Sequence, residues 1–353
     1  MEYIDNSNFN DFVRKLLEFS RVLAPTEQYD RNYIQEVTTD NIESINLSNF
    51  RTVEPFKGCF FAASEVVSNY FSQKPLPEFE KLTILGARGC DLEALEVEDR
   101  VFGEGEFQDP FYVKRRENSF VIGADCTGCG NTCFCTMVRG KPWPLKRFDL
   151  SLAPVEGGYV VEVGSEKGQK FIADNPSIFS EASEAGLETK MNNRKKVLEL
   201  LDQVNKQYQF KLESAESHKR NLENPVWQAL TKDCVECSCC NMICPTCTCF
   251  VLVDEGRWTK DDGREAKYER HKVWDACLKS GYQKVAGGSN PRGKLSQRLQ
   301  NRYHCKMDYS YDRLNRYACV GCGRCIDGCA GNIDMRKIFA ELERQVPLTA
   351  KLV

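Results

Sequence analysis

The chain has 353 residues, enough for about two domains with sizeable cores, and its 48 Lys and Arg against 51 Asp and Glu leave a net charge of −3. Such a balance gives no general attraction to nucleic acid or to an anionic membrane surface. Nineteen cysteines are an odd number, and the opening MEYIDNSNFNDF has no apolar leader core, so a reducing cytoplasm is expected rather than secretion with a disulfide framework.

In chain order, Phe9, Phe12, Val13, Leu16 and Leu17 recur at helical spacing over residues 9–19. Lys81-Leu-Thr-Ile-Leu reads as a short buried strand; the glycine-punctuated Gly86-Ala-Arg-Gly-Cys90 follows, with Asp91 placed to cap a helix over Leu92–Glu96. Phe120-Val-Ile-Gly is a second strand running straight into Cys126, Cys129, Cys133 and Cys135, so two strands deliver thiols to loops. Alternation over Tyr159–Val163 and Lys170–Ala173 around Gly164 and Gly168 suggests a hairpin. Val197, Leu200, Leu201, Val204 and Tyr208 form the stripe of a long amphipathic helix whose charged face is read as solvated. Pro225 opens a short helix, Val226–Leu230, and a last helix carries Ile338, Phe339, Leu342 and Val346. No segment approaches the roughly 20 apolar residues that cross a bilayer, so any membrane link would pass through a partner. The expected organisation is α+β: a mixed N-terminal α/β domain (residues 1–190), an amphipathic linker (191–224) and a mostly helical, ferredoxin-like domain (225–353).

That last domain carries two cysteine runs, Cys234-x2-Cys237-x2-Cys240-x3-Cys244-Pro and Cys319-x2-Cys322-x2-Cys325-x3-Cys329. The spacing is that of two cubane iron-sulfur clusters, in which the fourth thiolate of each run crosses to the other cluster. Cys234, Cys237, Cys240 and Cys329 are therefore expected at site 1, and Cys319, Cys322, Cys325 and Cys244 at site 2. Two structural zinc sites would need only C-x2-C pairs. Ala330 stands where the pattern has a second proline.

Eleven cysteines remain, and most are more than packing residues. Cys133-Phe-Cys135 and Cys247-Thr-Cys249 each place two sulfurs close together, which calls for a metal or an oxidant. With Cys90 and Cys126 the first pair makes a third four-thiol set, site 3, in which Cys129 could replace Cys126. The second pair with Cys277 and Cys305 makes site 4. Cys59 and Cys239 read as packing residues, and His304 as a hydrogen-bonding neighbour of Cys305. Arg292, Lys294, Arg298, Arg302 and Lys306 form a basic stretch that is either a solvated face or a counter-charge to clusters or an acidic partner. No G-x-G-x-x-G follows a strand and no P-loop is present, so neither flavin nor nucleotide is expected on this chain.

Ala87-Arg-Gly-Cys90-Asp91-Leu, Cys133-Phe-Cys135, Cys240-x3-Cys244-Pro-Thr-Cys247-Thr-Cys249, Trp274-Asp-Ala-Cys277, Asn301-Arg-Tyr-His-Cys305-Lys and Cys319-Val-Gly-Cys-Gly-Arg-Cys325 together resemble the iron-sulfur beta subunit of cytosolic sulfhydrogenases and the corresponding iron-sulfur subunit of anaerobic sulfite reductase. The resemblance implies 4Fe-4S clusters and a non-catalytic subunit of a hetero-oligomer. Such a subunit relays electrons between a flavin subunit that oxidises NAD(P)H and a separate catalytic subunit of hydrogenase, sulfite reductase or heterodisulfide reductase type. Two other classes compete: a catalytic disulfide-reducing subunit, disfavoured because Asn241 rather than glycine follows Cys239-Cys240, and a structural zinc scaffold.

Overall fold

The computed structural model describes residues 1–70, 76–138, 140–208, 210, 224–258 and 266–344. Its strands are β1 (Glu2–Asp5), β2 (Arg21–Gln28), β3 (Arg31–Val37), β4 (Ser64–Asn69), β5 (Leu82–Ala87), β6 (Ser119–Ala124), β7 (Leu150–Val155), β8 (Gly158–Val163), β9 (Ser180–Glu181), β10 (Phe250–Trp258) and β11 (Ala266–Trp274). Eight form one mixed sheet in the order β3-β2-β5-β6-β7-β8-β1-β9, and its centre, β2-β5-β6-β7, is parallel.

Both faces of that centre are covered, which is why its strands read as unbroken apolar runs. Leu85, Phe120 and Ile122 point to one face, where the helix Asn6–Leu17 packs with Phe12, Val13 and Leu16. Ile84 and Val121 point to the other, against Leu92 and Leu95 of the helix Gly89–Glu98. Asp91 does not cap that helix from in front; it lies in the first turn and its carboxylate reaches back to accept from the Arg88 N–H at 3.2 Å.

The hairpin expected across Gly164 and Gly168 lies one turn earlier. It joins β7 to β8 at Gly157, whose φ of 81° suits a residue without a Cβ. Residues Glu166–Asp174 are helical instead, because the Ser165 hydroxyl accepts from the Gly168 N–H at 3.1 Å and opens a helix there. Four alternating residues were too few to separate the two periods.

The amphipathic helix runs over Glu184–Asn205; Leu222 and most of the linker beyond it lie outside the described residues, as does Val346. Short helices, among them Val226–Leu230 and Leu295–His304, make up much of the C-terminal part. That part also holds a β-hairpin that the sequence reading did not foresee. β10 and β11 pair antiparallel between Cys249 and Cys277, and β4 from the N-terminal half completes their sheet. Among the described residues no helix is long and apolar enough to cross a membrane.

Candidate iron-sulfur sites

Because β5 and β6 are parallel neighbours, their carboxyl ends lie at one sheet edge, where open α/β sheets build their sites. Cys90 sits in the first turn of the helix after β5, and Cys126 two residues beyond β6. Buried Arg88 ties the edge together, donating to the carbonyls of Asp125, Leu47 (2.9 Å) and Ser48 (3.1 Å). Cys90, Cys126, Cys129, Cys133 and Cys135 line one cavity there, and Cys322 of the second run lines it too. Leu201 closes it, and with Val197 it packs on Cys133 and Cys135, both apolar side chains being fully buried. The helix Glu184–Asn205 is thus the lid of site 3 rather than a plain connector. Burying two such side chains stabilises the lid by about 1.5–3 kcal/mol each.

Burial pushes the Cys126 thiol up to about 12 and Cys129 to about 11, and raises Cys90, Cys133 and Cys135 as well. Raised thiols hold their protons more tightly, so a metal bound here would have to displace them, and its binding would release protons.

Site 3 is locked to the second run by close backbone approach. Gly321 has φ 64°, and a Cβ there would stand 2.6 Å from the Cys135 Cα; a Cβ on Gly323 (φ 75°) would run into the Thr132 carbonyl. The Phe134 N–H donates to the Gly321 carbonyl at 2.8 Å. Two buried guanidiniums fill the seam. Arg324 pairs with Asp91 at 2.8 Å and donates to the Thr52 carbonyl at 3.1 Å; Arg51 pairs with Asp327 at 2.6 Å and donates to the Cys322 carbonyl.

In the second run burial raises Cys319 to about 12 and Cys325 further, and both feel the charge of Cys244 from the first run. Cys234, Cys237, Cys240 and Cys329 line a single cavity with Arg302. The first-run loop wraps it through two left-handed residues, Glu236 (φ 54°) and Ser238 (φ 60°). Gly331 lets the Cys329 loop press on the Asp233 carbonyl, a spot where a Cβ would collide. Cys329 thus lines the cavity of the first-run thiols, as does Cys325, while Cys244 acts electrostatically on Cys319 and Cys325 and is bonded to Cys247.

Cys247, Cys249 and Cys277 meet beside buried Asn241, whose amide nitrogen lies 3.3 Å from the Cys277 sulfur and 3.6 Å from that of Cys247. A bond from Cys277, aided by Tyr282 and Lys306, outweighs burial and holds Cys249 down to about 6. Cys305 is exposed where the other three are buried or half-buried. Cys59 and Cys239 are both half-buried, and His304 is bonded through its ring to Asp308.

The basic stretch divides. Arg298, Arg302 and Lys306, one helical turn apart, are buried. Arg302 donates to the Cys240 carbonyl at 3.0 Å, and Lys306 to the Thr246 carbonyl and hydroxyl, each at 2.7 Å. Burial lowers the pKa of Arg302 and Lys306, and the negative charge of the surrounding cysteines outweighs it and raises both above their ordinary values. Sequence reasoning missed Arg51 and Lys57, which carry no motif. Lys57 comes from the N-terminal half and donates to the carbonyls of Met242 and Cys247, each at 3.2 Å.

Among the described residues no three His, Cys, Asp or Glu side chains converge on a single-ion site; the thiols ring cavities instead. Soft sulfur donors around cavities, with buried cations beside them, fit multi-iron clusters, which carry net negative charge.

Comparison with known proteins agrees. Residues 233–333 match the 4Fe-4S dicluster domain. The chain is 29% identical to the sulfhydrogenase 2 subunit beta of Pyrococcus furiosus, over 95% of this chain and 96% of that one. It is 21% identical to the F420-dependent formate dehydrogenase subunit beta of Methanocaldococcus jannaschii, over 96% of this chain and 75% of the relative. No solved structure matches.

Proposed function

From the premise that the chain belongs with the iron-sulfur beta subunits and carries a 4Fe-4S dicluster domain, we propose that it is the electron wire of a cytoplasmic oxidoreductase complex. It has no catalysis of its own and joins a flavin subunit that oxidises NAD(P)H to a separate catalytic subunit. The carrying observation is contiguity of the four thiol sets. Cys133 and Cys90 of site 3 abut Cys322 of site 2; Cys325 of site 2 shares a cavity with the site 1 thiols; Asn241, next to Cys240 of site 1, touches site 4.

Cys234, Cys237, Cys240 and Cys329 would hold one cluster, Cys319, Cys322, Cys325 and Cys244 the second, Cys90, Cys126, Cys133 and Cys135 the third, and Cys247, Cys249, Cys277 and Cys305 the fourth. A bound 4Fe-4S cluster supplies one-electron storage. The chain's own side chains shield most of the sulfurs, Cys237 and Cys305 being exposed, and set fixed positive charge where electrons arrive, through Arg51, Arg324, Arg302 and Lys306. Anaerobic iron and sulfide analysis should give roughly sixteen irons, four per cubane; a value near eight would reject sites 3 and 4. The isolated chain should not reduce viologen with NADH or NADPH and should gain that activity with a flavin subunit. Appreciable activity of the pure chain would reject the relay reading.

A further inference from the structure

Asn241 is 2% exposed, and its whole amide is spent on sulfur. The two hydrogens on Nδ2 match two acceptors, Cys277 Sγ at 3.3 Å and Cys247 Sγ at 3.6 Å. Oδ1 faces Cys240 Sγ at 3.8 Å. This placement follows from the backbone: Ser238 in the left-handed region starts the turn Cys239–Met242, and the Asn241 N–H donates to the Ser238 carbonyl at 2.9 Å. Cys240 then faces the site 1 cavity, and its neighbour faces the Cys247 and Cys277 pair.

A buried amide is costly unless its bonds are made, whereas a leucine of similar volume would fill the space at no polar cost. Hydrogen bonds to cluster sulfurs grow stronger as the cluster gains an electron, and they are among the levers that set reduction potential. We infer that Asn241 sets the potential of the cluster held by Cys247, Cys249 and Cys277, and that through Cys240 it connects that cluster to site 1. The inference rests on the reading of site 4 as a cluster site.

The test is an EPR-monitored redox titration of the full, anaerobically reconstituted chain, with iron counted in every sample. Asn241→Leu removes both donors and should make reduction of the site 4 cluster about tenfold less favourable, about 59 mV more negative for one electron. Asn241→Asp keeps the shape, puts a carboxylate against the sulfurs and should shift the potential further the same way. It also guards against poor folding of the leucine variant. Pulsed EPR of protein labelled with 15N-asparagine should show a weak nitrogen coupling to the site 4 signal that both variants lose. Wild-type iron content with an unmoved potential overturns the role of Asn241 and leaves site 4 standing. A wild-type chain with no more than roughly twelve irons removes site 4 itself, and the inference with it.

Discussion

Site 3 and the dicluster loops use the same ligand, the cysteine thiol, on opposite kinds of scaffold. Site 3 stands at the edge of a parallel sheet with two apolar faces already packed, beneath a helical lid. The loops around sites 1 and 2 hold little regular structure: they turn through left-handed residues and glycines and are pinned by Arg302, Lys306 and Arg324. A sheet edge presents its thiols whether or not iron is there. Loops of the second kind take their shape largely from what they bind.

Iron removal should divide the two regions most sharply. Anaerobic chelation is expected to open residues 233–244 and 319–333 to protease and hydrogen exchange while β5, β6 and the helix Asn6–Leu17 stay protected. Equal loss of protection in the sheet would end the comparison. Next in size is the seam. Arg324→Met leaves the buried Asp91 carboxylate unpaired and should destabilise the holoprotein by about 3–5 kcal/mol, read as a lowered midpoint in anaerobic denaturant titration. Leu201→Ala opens the lid and should cost about 2–5 kcal/mol, with the site 3 EPR signal decaying in air before those of sites 1 and 2. Parallel decay of all signals would show that the lid does not isolate site 3.

The smallest effect is a pH response at the same seam. Burial pushes the Glu96 carboxyl up, but Lys146 and Arg316 outweigh it and hold the group down at about 2. A depressed carboxylate contributes stability that is complete above its unfolded value near 4.3 and is lost as pH falls toward 2. Glu96→Gln should therefore flatten acid unfolding between about pH 4.5 and 2, with its loss of stability fully present at pH 7 and fading as the pH nears 2.

What could be read from sequence was whatever sits at fixed offsets. The cysteine runs, the strands Leu82–Ala87 and Ser119–Ala124 and the stripe Val197–Leu201 carry their period within a few residues. β2 contains Pro25, a residue that argues against a strand; it is accommodated because β5 pairs only with Arg21–Leu23. β10 and β11 were passed over amid cysteines, though Phe250-Val-Leu-Val and Lys272-Val-Trp274 have strand composition. Arg51 and Lys57 had no local signal at all, since their meaning lies in partners some 270 and 190 positions away.

The three-stranded sheet has a consequence for how the protein is made. Asn69 pairs with Glu269, so a strand made early waits some 200 residues for its neighbour, and Cys133 waits nearly as long for Cys322. Contacts of such separation form late, after a large loss of chain freedom. A nascent chain would thus carry open thiols until residues 319–325 arrive, and their arrival is the step that closes the site.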